Sequence, residues 1–136
     1  MNMLRKIMLA AGMTMLTGFL PAAFANDHFS DDWKISVSGD AESGGVVSFT
    51  LTFEPPEDGT AREAITIDTP VAADASENDI ADLIANSLAA GLDEDGFDVD
   101  VSWGEHVEVK AEDDTPDFVI TIANNTLQGV SFEIDD

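Results

Sequence analysis

The chain has 136 residues, no cysteine, and 28 acidic against five basic side chains, a formal charge of −23. Such a balance repels nucleic-acid phosphates and anionic lipid head groups, which argues against both as partners. Without cysteine there is neither a disulfide framework nor a lipidated cysteine to anchor the chain.

Residues 1–25 read as a secretory signal: Arg5 and Lys6, an apolar run from Ile7 to Leu20, then Pro21 and the small-residue pattern Ala23-Phe24-Ala25. The apolar stretch is barely long enough to span a bilayer, and Pro21 interrupts its end. The expectation is cleavage before Asn26, leaving a single acidic domain over residues 26–136. That product would be secreted or periplasmic, not a lipoprotein, and would not insert in a membrane after cleavage. It keeps only Lys34, Arg62 and Lys110 against all 28 acids, a formal charge of −25. The apolar residues are patterned, so a folded domain with a carboxylate-covered surface is expected rather than a disordered tail. Salt screens such a surface, which points to a saline habitat.

Along the mature chain, Trp33, Ile35 and Val37 alternate with polar residues, as do Val47, Phe49, Leu51 and Phe53, the period of half-buried strands. The turn-rich link Gly39 to Gly45 predicts a hairpin between them. Pro55-Pro56 ends the second strand, because proline cannot donate to a ladder. A third strand is predicted over about Ala64 to Asp68, ending before Pro70.

A single helix follows, over about residues 77–90. Ser76 and Asp79 form a capping-box pattern with aspartate in the usual glutamate place. Ile80, Leu83, Ile84 and Leu88 make one apolar stripe, Ala81, Ala85 and Ala89 allow close approach, and Gly91 is a natural stop. Four more alternating runs predict strands: Phe97 to Trp103, Val107 to Ala111, Phe118 to Ile122 and Val130 to Ile134. In the hairpin at Gly104 a two-residue loop would set Val101 opposite Glu108, so the loop must have odd length or carry a bulge. Either adjacent register sets Lys110 opposite Asp98 or Asp100. The predicted fold is α+β: a mostly antiparallel sheet of six or seven short strands with the helix across one face, Leu83 and Ile84 packing on Phe97, Val99, Val101, Ile120 and Phe132.

The segments Ala64-Ile65-Thr66-Ile67, Asp79-Ile80-Ala81-Asp82-Leu83-Ile84, Val99 to Gly104 and Val107 to Ala111 are laid out as strand, capped helix, glycine hairpin and strand. Over residues 61–134 this pattern resembles a small β-β-α-β-β module of phage tail-associated and bacterial surface proteins. The resemblance implies an assembly and packing unit without catalytic residues. The export signal favours the surface or secreted branch.

Candidate chemistry is sparse. The two histidines are His28, near the expected mature terminus, and His106, which follows Glu105 at the hairpin. There is no tyrosine, and no G-x-S-x-G, H-E-x-x-H or P-loop pattern occurs, so a hydrolase is the least favoured reading. Asp93, Asp95, Asp98 and Asp100 surround Gly96, and the fold returns Glu112, Asp113 and Asp114 to the same end of the sheet, which nominates a calcium site. Asp98 and Asp100 lie about 6.7 Å apart along a strand, so Asp93 and Asp95 are the better-placed ligands. The spacing is not that of an EF-hand loop. Two functions follow. The first is a non-catalytic structural or assembly module of an extracellular or cell-envelope structure, whose partner is itself or another envelope protein. The alternative is a small secreted module that binds calcium, another divalent cation or a different ligand.

Overall fold

The computed structural model describes residues 28–112 and 114–136, so the expected signal segment and Asp113 lie outside the described residues. Its elements are β1 (Asp32–Ser38), β2 (Gly45–Phe53), β3 (Ile65–Val71), α1 (Glu77–Gly91), β4 (Phe97–Ser102), β5 (His106–Ala111), β6 (Phe118–Asn125) and β7 (Ser131–Asp135). The fold is α+β, and every strand pairing is antiparallel.

The strands divide between two sheets, ordered β4-β5-β1-β7 and β3-β2-β6, where the sequence pattern had suggested one. The sheets pack face to face, with aromatic rings closing the gap. Phe49 of β2 meets Phe132 of β7 edge-on at 5.8 Å, and Phe97 of β4 meets Phe118 of β6 at 5.6 Å. Trp33, Ile35, Val37, Val107 and Val109 from one sheet join Val47, Phe49, Leu51 and Phe118 from the other in a single core. The buried indole of Trp33 donates to the Phe118 carbonyl at 2.6 Å, so its polar edge is satisfied inside.

Two sheets overturn the expected hairpin between β1 and β2. β1 pairs with β5 and β7, whereas β2 pairs with β3 and β6. Both strands alternate cleanly because each lays one face on the shared core, and periodicity alone does not say whether neighbours in sequence share a sheet. The link between them is tied to other loops instead of closing on itself. Buried Ala41 exchanges backbone hydrogen bonds with Ala75 and Asp74, and the Glu42 N–H donates to the Gln128 carbonyl.

β3 runs through Pro70 to Val71, three residues beyond the expected end at Asp68, because β3 is an edge strand where a missing N–H is tolerated. Glu54-Pro55-Pro56 stops β2 as expected.

The helix start follows its sequence. Ser76 and Asp79 form both bonds of the capping box. α1 packs on β3 of one sheet and β4 of the other, bridging the sandwich along that side. It buries Ile80, Ala81, Ile84 and Leu88, while Leu83 is 36% exposed. The expected contact of Leu83 with the sheet is thereby corrected. At 100° per residue Ile80, Ile84 and Leu88 centre the buried face, with Ala81 on one flank and Leu83 on the other, and it is the Ala81 flank that turns inward. Gly91 is the last helical residue rather than a left-handed cap. A Cβ there would sit 3.0 Å from the Ile67 side chain, so glycine lets the helix end approach β3. Among the described residues no helix is long and apolar enough to cross a membrane.

Candidate functional site

The β4–β5 hairpin has the register its sequence requires. Asp98 lies opposite Lys110, Val99 opposite Val109, Val101 opposite Val107 and Ser102 opposite His106. That leaves Trp103, Gly104 and Glu105 as a loop of odd length, so apolar faces apolar across the pair.

The loop's backbone is unusual. Trp103 has φ 57° and Gly104 φ 82°, both left-handed. For glycine this is free, but a bulky side chain there costs on the order of 1–3 kcal/mol. Four contacts hold the shape. The Val37 N–H donates to the Glu105 carbonyl at 3.0 Å, which clamps the tip to β1. Ser36 Oγ and His106 Nδ1 are 2.8 Å apart, and His106 Nε2 lies 3.6 Å from Glu105 Oε1. At Gly104 the Asn78 amide presses so close that a Cβ would fall 2.9 Å from its oxygen.

The product of this arrangement is an indole held outward. Trp103 is 86% exposed, on a hairpin anchored to both β1 and the start of α1. Sequence alternation had grouped Trp103 with the inward residues Phe97, Val99 and Val101. The signal that places it outside is the odd-loop requirement itself, since a loop centred on Gly104 removes Trp103 from the strand. Val101, the last inward residue of β4, is 37% exposed beside it.

Ser36, His106 and Glu105 bring a hydroxyl, an imidazole and a carboxylate into line, and the hydroxyl was missed by sequence reading because Ser36 sits seventy positions away. This line lies on the outer face of a four-stranded sheet. Ser36 belongs to β1, which is paired on both sides, by β5 and β7. The arrangement acts as a clamp for the hairpin.

Of the nominated calcium ligands, Asp113 lies outside the described residues, and the others fall on the Asp93–Gly96 turn, on β4 and just after β5. The Asp93 carbonyl accepts from the Gly96 and Phe97 N–H groups, and its carboxylate accepts from the Asp95 N–H at 3.2 Å. Glu112 donates its N–H to the Gly96 carbonyl, which does bring the Asp93–Gly96 turn beside Glu112. Asp98 faces Lys110, Asp100 sits farther along β4 opposite Glu108, and Asp114 is exposed. Among the described residues no three histidine, aspartate or glutamate side chains gather as a metal-binding group. His28 contacts Asp136 and stands 5.7 Å from the Trp33 ring, joining the two ends of the described chain.

Of the three basic residues in the described chain, only Lys110 lies on the β4–β5 hairpin. Arg62 lies over the Phe53 ring at 4.3 Å from its centroid. Lys34 sits across from Glu108 and Asp135, and Lys110 across from Asp32 and Asp98. The acids around the hairpin and the facing flank of α1 therefore dominate the local field.

The class this geometry defines is a two-sheet α+β sandwich, bridged along one side by a helix and presenting one rigid aromatic hairpin tip. Comparison with protein-family models, characterised proteins and solved structures finds no match to the chain.

Proposed function

We propose that the chain is an exported, non-catalytic assembly module of an extracellular or cell-envelope structure, and that it joins its partner through the β4–β5 hairpin. The observation that carries this reading is Trp103: a large apolar side chain, 86% exposed, kept there by a strained backbone. Sparsely populated backbone conformations in bulky residues cluster at recognition and catalytic sites, and tryptophan is the residue most enriched at the energetic centres of interfaces. The export pattern over residues 1–25 and the resemblance to surface-protein modules support the location. His106 is half-buried and engaged by Ser36 and Glu105, and its part in holding the hairpin supports a joining role.

The test is site-specific photo-crosslinking in the source organism's extracellular fraction. A crosslinking residue at position 103 yields a discrete adduct, while one at Asp68, on the outer face of the other sheet, yields none. Equal yields at the two positions, or none at 103, overturn the reading.

A further inference from the structure

We infer that the free edge of β4 takes a cationic, amphipathic strand from a partner protein, with Trp103 covering its end. This rests on the assembly reading above and names the partner's chemistry.

β4 is the terminal strand of its sheet and pairs only with β5, while α1 packs along its inner side, from Asn78 beside Gly104 to Ala89 near Val99. Among the described residues no backbone group of another element bonds to its outer side between Asp98 and Ser102. An open row of N–H and C=O groups is a template for one more strand. From Phe97 to Ser102 the edge is six residues long, about 17 Å at roughly 3.3 Å per residue, which matches a six-residue segment.

The side chains along this edge differ by face. On the outer face Asp98, across from Lys110, and Asp100, across from Glu108, are exposed, so the face keeps a net negative charge of two. On the inner side Val99 is half-buried and Val101 is exposed, and at the Phe97 end a depression of about 230 Å³ is lined by Ala89, Leu92, Glu94, Phe97, Asp98 and Val99. An added strand shares the two-residue repeat of β4. Its alternate residues would therefore meet aspartates on one face and valines on the other, so the matching pattern is lysine or arginine alternating with aliphatic residues.

The same charges decide against a second copy. Pairing two β4 edges would set aspartate against aspartate, between chains that each carry a formal charge of −25 once residues 1–25 are removed. A cationic strand gains what a second copy would lose. At the far end Trp103, with Glu105 two residues on, offers an aromatic face to a cation, a pairing the molecule already uses between Arg62 and Phe53.

The experiment uses the chain of residues 26–136 and three probes: a peptide alternating lysine with valine, polylysine of equal charge, and a peptide alternating glutamate with valine. Binding is read by calorimetry and by acrylamide quenching, a neutral probe that reports mainly on Trp103 because Trp33 is buried. The lysine–valine peptide should bind saturably and shield Trp103. Polylysine should bind at least about tenfold more weakly, the glutamate–valine peptide not at all, and Trp103→Ala should weaken the lysine–valine complex about tenfold or more. Asp68→Asn, on the other sheet, should leave it unchanged. If polylysine binds equally well, or Trp103→Ala has no effect, the attraction is diffuse charge and the inference falls. Should the peptide fail to bind while Trp103 becomes shielded as the protein itself is concentrated in molar sodium chloride, the partner is a second copy: the cationic strand is refuted and the assembly reading stands. Trp103 unshielded under every condition refutes both.

Discussion

The helix offers a contrast that tests the packing directly, because Leu83 and Ile84 are neighbours in sequence with opposite surroundings. Ile84 is fully buried, whereas Leu83 is 36% exposed. Truncating either to alanine removes three carbons, worth about 0.8 kcal/mol each if fully withdrawn from water, or roughly 2.4 kcal/mol. At Ile84 the sheets on both sides hold the space open, so a cavity term adds and the cost should reach about 3–4 kcal/mol. At Leu83 roughly two thirds of the transfer applies and water fills the gap, giving about 1–1.5 kcal/mol. The assay is urea titration in molar sodium chloride, since guanidinium is itself a salt and would screen the acidic surface while unfolding it. A difference of about 2 kcal/mol separates the two midpoints by roughly 1 M urea at slopes of about 1–3 kcal/mol/M. Equal costs would mean that α1 is rotated from the orientation described, or that a partner covers Leu83.

Three further outcomes follow from the same structure. Melting temperature should rise by more than about 5 °C, or roughly 1 kcal/mol, between low and molar sodium chloride, because among the described residues the ion pairs within 4.0 Å involve only histidines; a flat response would show the surface charge already neutralised. Thr69→Val should raise stability by about 1 kcal/mol in the same urea titration, since the Thr69 hydroxyl is fully buried with no hydrogen-bond partner among the described residues; a loss would reveal a partner for that hydroxyl. Calcium at fixed ionic strength should shift melting no more than magnesium does, because the Asp93 carboxylate is engaged by the Asp95 N–H and Asp98 faces Lys110; a calcium-specific shift abolished by Asp93→Asn and Asp95→Asn would establish the site that the acidic spacing first suggested.

Local order in this chain is legible wherever one short-range rule decides it. The Ser76–Asp79 cap, the stop at Pro55-Pro56 and the β4–β5 register each depend on residues a few positions apart, and each forms as those residues dictate. What escapes is the assignment of strands to sheets. β1 and β2 read as partners because alternation reports that a strand has one buried face, not which strand supplies the opposite face. The same blindness grouped Leu83 with Ile84, since the spacing i, i+3, i+4 marks an apolar stripe and not which of its flanks is turned inward. Ser36 and His106 meet only because β1 lies between β5 and β7, a pairing no local pattern encodes.

The site was half legible for a related reason. Spacing arithmetic required an odd loop or a bulge at Gly104, yet alternation kept Trp103 in the strand and hydrophobicity argued for an indole inside. Backbone geometry decides the conflict: the clamp of Ser36, His106 and Glu105 and the close contact of Asn78 with Gly104 fix the turn, and the turn leaves Trp103 no inward direction. A protein that gained nothing from that indole would lose stability by keeping it, because a smaller residue at position 103 would relieve strain and remove exposed apolar surface together. If Trp103→Gly therefore stabilises the isolated domain while abolishing partner crosslinking, the strain is the cost of recognition; if it destabilises the domain, the indole serves the fold and the hairpin is not the joining surface.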